Sequence, residues 1–386
     1  MDSIVKIVFF LVALVIAYTF ATYISKHYRF SFLYERTNRL GAIDGLRGYL
    51  ALFVFAHHFI LTWYWKNTTH WWRPKEVYFQ NIGLIGVMIF FMITGYLFTT
   101  KILKKKHKTN WLKLYISRIF RIYPLYLFAL FVISVIIFIN PEHRVNLNFS
   151  LLFSQYFDWL LFNGVNLHTH DHSHLIIAGV EWTLRYEWFF YLSLPFIAFI
   201  ITLNRWFALL LSLFAALYFY QNERLFSFET VYFLFFIIGG LAAVLYRYLE
   251  TYISKYIDNF FVSFTITVAL FYAIFYKNIF DPVAISLISL FFISIAWGNS
   301  LFGLMHKRAS ILLGEISYSI YLLHGVVIYM LFTIFEIIDL KRVSIVEHTF
   351  YMPLIVPLVL VMAVFTYLFI EKPGIELGKA KILQKK

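Results

Sequence analysis

The feature that most constrains this chain is a series of long apolar runs, joined by shorter polar segments. A helix needs about 20 apolar residues to cross a hydrocarbon core of roughly 30 Å. Because the runs are continuously apolar, they favour helices over the alternating strands of a membrane barrel. The sequence therefore predicts an all-α, polytopic membrane helix bundle with about eleven transmembrane helices. The runs cover residues 4–22, 43–63, 80–99, 120–139, 180–201, 205–221, 229–246, 259–276, 282–298, 311–332 and 353–370.

The composition agrees with a membrane location. The 386 residues are 61% hydrophobic and 14% charged, and the mean hydropathy is +0.75, whereas soluble domains carry roughly 25% charged residues. The chain has no cysteine, which excludes disulfides, thiolate catalysis and cysteine-ligated metals. We predict an N-terminal anchor helix with a cytoplasmic linker (1–40), one membrane domain (41–372) and a basic cytoplasmic tail (373–386).

Lysines and arginines predict the orientation of the chain. If the loops after the odd-numbered runs face the cytoplasm, they contain most of these residues, with the densest cluster between residues 101 and 121. The N-terminus is then outside and the C-terminus cytoplasmic, in the inner (plasma) membrane. The net charge of +13 therefore reflects topology and contact with anionic lipid, and gives no reason to expect nucleic acid as a partner.

The second run contains charged and titratable residues that are costly in lipid. Residues 44–59 read DGLRGYLALFVFAHHF, and Asp44 precedes Arg47 by three residues. Arg47 and His58 are eleven residues apart, so they share one helix face and are separated by roughly 16 Å along the axis. His57 lies about 80° away on the other side. The pair is a candidate functional site, but a snorkelling arginine with a packing histidine explains the pattern equally well.

Two arginines mark the start of the fourth run. Arg118 and Arg121 in SRIFRIYP are one helical turn apart and can bind a phosphate through forked hydrogen bonds. The cytoplasmic bias of basic residues accounts for them as well.

The fifth and tenth runs also contain polar residues. In GVEWTLRYEWFFYLSLP, Glu187 is predicted at about the depth of His58, and an ion pair of Arg185 with Glu187 or Glu181 is the packing alternative. In LGEISYSIYLLHGVV, His324 either reaches the centre of the bundle or packs between helices.

Together these stretches resemble the acyltransferase-3 family of integral membrane O-acyltransferases. The family's first core helix has an Arg-x10-His pattern, which Arg47 and His58 match. Four further segments match in the same order, so that the resemblance extends over residues 43–370. They are GVMIFFMITGYLF, SRIFRIYPLY, EWTLRYEWFFYLSLP and GEISYSIYLLH.

Three positions depart from the family pattern. Met88 stands where many members have an acidic residue, and Thr94 and Thr183 replace serines. The resemblance implies a ten-helix core preceded by an extra N-terminal helix. It identifies the chain as a standalone member without the hydrolase-like extracytoplasmic domain that many relatives carry.

The resemblance implies acyl transfer, most often of acetyl, from cytoplasmic acyl-CoA to a hydroxyl of an extracytoplasmic or lipid-linked carbohydrate of the cell envelope. Acyl-CoA is the donor co-substrate, and we expect no permanently bound cofactor and no metal. The other partners implied are the bilayer and the carbohydrate acceptor. A separate periplasmic protein that accepts the acyl group is an open alternative.

The residues then receive roles under this resemblance. His58 is the candidate general base or, alternatively, the residue that is itself acylated. Glu187 orients the imidazole or binds the acceptor. Tyr321 is a further candidate for stabilising the oxyanion. The remaining candidates are Arg47, Arg118 and Arg121 for binding CoA, Arg185 for the oxyanion, and Asp44 and His324 as additional site residues.

Two other motifs invite different interpretations. His168, His170, His172 and His174 alternate, so an extended segment would point all four to one side, as in a metal site; a polar loop beside the acceptor entrance is the alternative. The tryptophans Trp63, Trp65, Trp71 and Trp72 fit either an interfacial belt or sugar stacking.

Two other function classes fit a polytopic chain with buried charges. A transporter of glycans or small acids would show inverted repeats and helices broken by glycine or proline, which the sequence does not display. A non-catalytic partner of envelope polysaccharide assembly would not need His58.

Overall fold

The computed structural model describes residues 2–27, 41–105, 109–139, 148–168, 170–203, 205–222, 224–225 and 228–384. Within these ranges, eight helices are long and apolar enough to cross a membrane, and three shorter apolar helices accompany them. Each of the eleven coincides with one predicted run, which confirms an all-α multi-pass membrane bundle. The two strands found in the described chain, β1 (Arg224–Leu225) and β2 (Phe228–Glu229), form one small antiparallel ribbon.

The helices follow the chain in this order: α1 (Asp2–His27), α2 (Gly41–Thr68), α3 (Val77–Lys105), α4 (Trp111–Ile139), α5 (Phe149–Leu160), α6 (Trp182–Leu203), α7 (Arg205–Gln221), α8 (Val231–Ile253), α9 (Phe260–Ile274), α10 (Pro282–Ala296), α11 (Arg308–Glu315), α12 (Ser317–Tyr329), α13 (Ile345–Phe350), α14 (Met352–Thr366) and α15 (Lys372–Gln384). A 3₁₀ segment covers Ser173–Ile177, and π-helical turns follow α12 and α14.

The structure differs from the predicted runs in three places. The run 311–332 is broken at Ile316, where α11 ends and α12 begins. The last run continues through the π-helical turn Tyr367–Glu371 into α15. Helix α5 was not predicted, because its 12 residues include serine, glutamine and aspartate and are too few to span a bilayer.

Helices α3 and α8 cross in direct backbone contact. A Cβ atom added at Gly95 would lie 2.1 Å from the Phe236 carbonyl oxygen, and one added at Gly239 would lie 2.0 Å from the Met92 carbonyl oxygen. Lipid gives apolar helices little reason to associate, so close approach through small residues is what favours such a contact. Helix α3 also packs against α2, and α2 in turn packs against α11 and α12.

Helix α1 is packed into the bundle through small residues at every fourth position. These are Ala13, Ala17, Ala21 and Ser25, all buried. Near its start, Lys6 Nζ lies 2.5 Å from Glu76 Oε1, and the Tyr64 hydroxyl donates to the other carboxylate oxygen at 2.9 Å. The ion pair neutralises the Lys6 ammonium group, which would otherwise be a single charge on an apolar helix.

The two ends of the bundle differ in chemistry. We call the end that carries the loops 69–76 and 161–181 the tryptophan end, because Trp71 and Trp72 lie there. The opposite end, where α2, α4 and α12 begin, is the arginine end. Helix α2 runs from the arginine end at Arg47 to the tryptophan end beyond His58.

Candidate functional site

The centre of the candidate site is a pair of histidines on facing helices. His58 of α2 places its Nδ1 atom 3.0 Å from Nε2 of His324 on α12, and the two rings are inclined by 23°. His324 is fully buried, whereas His58 keeps part of its surface accessible. The sequence left the position of His324 open, and the structure places it at the centre of the bundle.

The hydrogen bonds of His324 determine which nitrogen atoms carry protons. Its Nδ1 lies 3.0 Å from the carbonyl oxygen of Ile320, and a carbonyl can only accept. With both rings neutral, His324 Nδ1–H therefore donates to Ile320, and His324 Nε2 accepts from Nδ1–H of His58. The Nε2 atom of His58 is then unprotonated, which is the form that a general base requires.

Two neighbouring rings restrict the orientation of His58. The indole of Trp71 lies nearly parallel to the imidazole, with centroids 5.9 Å apart and planes inclined by 11°. The His57 ring meets it edge-on at 4.9 Å. His57 itself donates from Nδ1 to the Phe79 carbonyl at 3.0 Å and packs on Gly83, so it is a packing residue.

Glycine brings a loop against the back of His324. A Cβ atom at Gly325 would lie 2.4 Å from the backbone nitrogen of Ala178, so the 3₁₀ segment packs directly on α12. Ala178 itself has a positive φ of 58°, as do His168 (56°) and His172 (61°). Such backbone strain in non-glycine residues persists only where surrounding contacts impose it, and it is common near functional sites.

Glu187 lies between the histidine pair and the arginines, and the partner of the His58 imidazole is His324. The carboxylate accepts from the Tyr191 hydroxyl at 2.6 Å, and Arg118 approaches the same hydroxyl. Arg47 and Arg121 lie within electrostatic range of Glu187. Glu187 therefore lies with Tyr191 and the arginines, and His324 hydrogen-bonds the His58 imidazole. The roles suggested for Glu187, orienting the imidazole or binding the acceptor, stay predictions.

Arg121 is bound within the protein. Its Nη1 atom lies 3.0 Å from Oε1 of Glu371, a fully buried carboxylate whose other oxygen accepts from Ser319 at 2.8 Å. Arg118, one turn earlier, lies over the Phe98 ring at 5.4 Å. The two guanidinium groups therefore have different neighbours, and their joint binding of a phosphate stays a prediction.

Arg47 faces the same charged cluster from α2. Asp44, Glu315 and Glu371 are its acidic electrostatic neighbours, and Arg121 is a basic one. Glu315 accepts a hydrogen bond from the Tyr367 hydroxyl at 3.1 Å. Positive and negative groups thus alternate across α2, α4, α11 and the π-helical turn.

The two oxyanion candidates are engaged elsewhere. Arg185 lies over the Phe228 ring at 5.2 Å, toward the β-ribbon. Thr183 Oγ1 donates to the Val180 carbonyl at 3.0 Å and lies 2.8 Å from the Tyr321 hydroxyl, whose proton it can therefore accept. Tyr321 also lies beside His324, with ring centroids 6.5 Å apart, and the oxyanion role of either residue stays a prediction.

The histidine-rich loop is folded back on itself. His168 packs against Phe138, with ring centroids 4.5 Å apart, and His170 Nε2 lies 3.3 Å from the Tyr329 hydroxyl. His172 is exposed beside His174. An extended segment with four imidazoles on one side, as the metal alternative required, is therefore not formed.

Behind this loop, a carboxyl group and an imidazole are buried together. Gly164 packs against both Glu181 and His174. Within the described chain, Glu181 Oε2 and His174 Nδ1 have no hydrogen-bond partner. Burial raises the pKa of Glu181 to about 8 and lowers that of His174 to about 4, the latter with a smaller contribution from His172, so both groups are neutral at pH 7.

Sequence reasoning missed Glu371 and Ser319 as members of the site. Glu371 follows the last apolar run and precedes Lys372, so it reads as a charge at a membrane boundary. A signal was present in the pattern of charges, because an inward-facing Arg121 requires a carboxylate partner within the membrane. Which acid supplies it depends on how α4 packs against the end of α14.

Comparison with known proteins places this geometry in a family. The sequence profile of the acyltransferase domain of the acyltransferase-3 family matches residues 40–370, most of the chain. The protein belongs to this family, as the five motifs predicted. No solved structure matches the chain.

Two curated proteins are similar over part of the chain. One is the peptidoglycan O-acetyltransferase OatA of Listeria monocytogenes, 28% identical over 172 residues, which are 43% of this chain and 25% of OatA. Another is the acyltransferase MdmB of Streptomyces mycarofaciens, 28% identical over 163 residues, which are 42% of this chain and 39% of MdmB. The chain thus spans less than half the length of each.

Proposed function

We propose that this protein is a membrane O-acyltransferase that moves an acyl group, acetyl in the simplest case, from cytoplasmic acyl-CoA to a hydroxyl of a cell-envelope carbohydrate on the other side of the membrane. The observation that carries the proposal is the hydrogen bond of His58 Nδ1 with His324 Nε2 inside an acyltransferase domain, because with both rings neutral it leaves Nε2 of His58 unprotonated. The similarity to a peptidoglycan O-acetyltransferase supports an envelope carbohydrate as the acceptor.

In this proposal the arginine end faces the cytoplasm and the tryptophan end faces outward. The distribution of lysines and arginines supports this orientation, with the N-terminus outside and the C-terminus cytoplasmic, in the plasma membrane. A charged CoA molecule then stays on the cytoplasmic side, and only its acyl group crosses.

The arginine end supplies the donor site. We assign Arg118 and Arg47 to the phosphates of CoA, because Arg121 already forms an ion pair with Glu371. The pantetheine arm extends along α2 for roughly 16 Å, the rise between Arg47 and His58. This brings the thioester carbonyl to the depth of the imidazole.

The chemical step follows from the protonation state of His58. The acceptor oxygen attacks the thioester carbonyl while Nε2 of His58 takes its proton, and the tetrahedral intermediate expels the CoA thiolate. The imidazolium then gives that proton to the thiolate, which leaves as CoA-SH. The products are an ester and a thiol, and His58 returns to its starting form.

The test compares the two adjacent histidines. In inverted membrane vesicles supplied with acetyl-CoA labelled in the acetyl group, His58→Gln should lower the label in base-labile sugar esters by at least about a hundred-fold. His57→Gln is the matched control. Glutamine can still donate to the Phe79 carbonyl, so this variant should stay within a few-fold of the wild type.

Two results would contradict the proposal. One is undiminished transfer by His58→Gln at equal expression. The other is a wild-type protein that consumes no acetyl-CoA. Label that stays on the wild-type protein, is released by hydroxylamine and is absent from His58→Gln would instead identify His58 as the acylated residue.

A further inference from the structure

We propose that Trp71 and Trp65 form a platform that binds a pyranose ring of the acceptor directly beside His58. The inference rests on the proposed acyl transfer and names the acceptor subsite of that same site. Its basis is the placement of four tryptophans that the sequence alone could not distinguish.

The structure divides these tryptophans into two kinds. Trp72 is 75% exposed, with Arg73 placed over its ring at 5.8 Å, as suits an interfacial residue. Trp63 donates from Nε1 to the Val343 carbonyl at 2.9 Å and so links α2 to the segment before α13. Trp65 and Trp71 instead turn inward and remain partly accessible.

The two inward indoles form a corner next to the candidate base. Trp71 lies parallel to the His58 ring, and Trp65 meets Trp71 edge-on, with centroids 5.8 Å apart and planes at 81°. Trp65 is in turn nearly parallel to the Tyr329 ring at 6.3 Å. The Tyr329 hydroxyl and His170 Nε2, 3.3 Å apart, form the polar rim of the corner.

This combination fits a sugar ring. A pyranose has faces rich in C–H groups and a rim of hydroxyl groups, so an indole face can receive the ring while polar groups meet its edge. Because Trp71 neighbours the His58 ring, with centroids 5.9 Å apart, a sugar ring held in the corner lies next to the candidate base. The tyrosine hydroxyl and the imidazole of His170 provide hydrogen-bonding groups for the remaining hydroxyls.

The test uses two neighbouring tryptophans in one loop. Purified wild-type protein, Trp71→Ala, Trp71→Phe and the matched control Trp72→Ala are assayed in nanodiscs with acetyl-CoA and either penta-N-acetylchitopentaose or maltopentaose. The readouts are KM for each substrate, kcat, and acetyl-CoA hydrolysis without a sugar. Saturation-transfer NMR measures sugar contact independently of turnover.

Trp71→Ala should raise the KM of the sugar by roughly ten-fold or more, with the KM of acetyl-CoA changed less than about two-fold. Sugar-free hydrolysis should also fall, because the His58 ring is less restricted, but by a smaller factor than the rise in the KM of the sugar. Trp71→Phe should recover part of the loss, and Trp72→Ala should match the wild type. The sugar's ring C–H protons should receive saturation in the wild type and lose it in Trp71→Ala.

A fall in kcat and in hydrolysis with unchanged sugar KM would overturn the platform, because Trp71 would then act only by packing His58. Absence of saturation transfer to both sugars in the wild type would overturn it as well. Failure of the proposed function gives a different result, namely sugar binding that depends on Trp71 without any transfer of the labelled acetyl group.

Discussion

The two ends of the site bury polar groups in opposite ways. At the tryptophan end, His58, His324 and the Ile320 carbonyl form a neutral chain in which each proton has a defined place. At the arginine end, Arg121 and Glu371 form a buried ion pair. A neutral chain leaves one lone pair available for proton transfer, whereas an ionic cluster can receive a charged ligand.

This difference predicts how each end fails when a side chain is removed. Loss of a neutral hydrogen-bond partner costs about 1–3 kcal/mol in stability. It also lets the His58 imidazole rotate away from the orientation that proton transfer requires. Loss of one partner of a buried ion pair costs about 3–5 kcal/mol, because a charge is left without compensation. Variants at the tryptophan end should therefore affect turnover first, and variants at the arginine end should affect folding first.

The largest effect short of removing His58 is expected at His324. His324→Leu removes the acceptor for Nδ1–H of His58 and should lower kcat by roughly a hundred-fold, a typical contribution of an oriented base. His324→Gln can present an amide oxygen at a similar distance and should restore at least about a tenth of the wild-type kcat. Steady-state rates at equal amounts of folded protein measure both.

Thermal unfolding is measured beside the rates, because His324→Leu should be less stable than His324→Gln by about 1–3 kcal/mol, and kcat is compared only for folded protein. Equal kcat values for His324→Leu and His324→Gln would contradict the assigned tautomer. The hydrogen bonds from His58 through His324 to Ile320 would then not explain turnover at the tryptophan end.

The next effect concerns the ion pair at the arginine end. Arg121→Gln and Glu371→Gln should each destabilise the protein by about 3–5 kcal/mol, while the double variant should be less destabilised than the sum of the two. Thermal unfolding in detergent, followed by tryptophan fluorescence, gives the comparison.

Ser319→Ala serves as the milder control. It removes only the hydrogen bond to the second oxygen of Glu371, so its effect should be about 1–3 kcal/mol. Additive losses in the double variant would show that the two charges are not coupled, and the ionic description of this end would be wrong.

Much of the fold could be predicted from the sequence, because membrane solvation acts on each helix separately. A run of twenty apolar residues indicates a spanning helix wherever it packs, and all eleven predicted runs have a helical counterpart. The break at Ile316 was not predicted, because the run 311–332 as a whole is long and apolar enough for one helix. At this point Gly314 packs against the Asp44 carbonyl of α2, a contact between helices that the pattern of one run does not contain.

The site was predictable only along single helices. Helical periodicity correctly separated His58 from His57, because both lie on α2 and only one faces the centre of the bundle. It could not pair His58 with His324 or Arg121 with Glu371, since each pair joins helices far apart in the chain. Glu187 shows the same limit: the sequence predicted for it the depth of His58, but could not predict its neighbours, which are Arg118, Arg47 and Arg121.

The last prediction concerns the pH dependence of stability at the tryptophan end. Glu181 is a carboxyl group buried at the tryptophan end, and burial raises its pKa from 4.5 to about 8. Below the unfolded value it is protonated in both states. As pH rises from about 4.5 through 8, the unfolded chain releases the proton first, so the stability that depends on the neutral group is progressively lost. Glu181→Gln is neutral at every pH and should remove this loss.

The measurement is the unfolding temperature of wild type and Glu181→Gln between pH 5 and about 9, spanning the window in which the carboxyl ionises. The wild type should lose stability with rising pH, at most by a few kcal/mol since each pKa unit corresponds to about 1.4 kcal/mol, and the variant should show a flatter profile.

His174 provides an internal check of opposite sign. Its pKa is lowered from 6.5 to about 4, so its contribution is lost as pH falls through that range and should persist in Glu181→Gln. Parallel profiles above pH 6 would mean that this end tolerates a buried carboxylate, so that neutrality would not distinguish it from the arginine end.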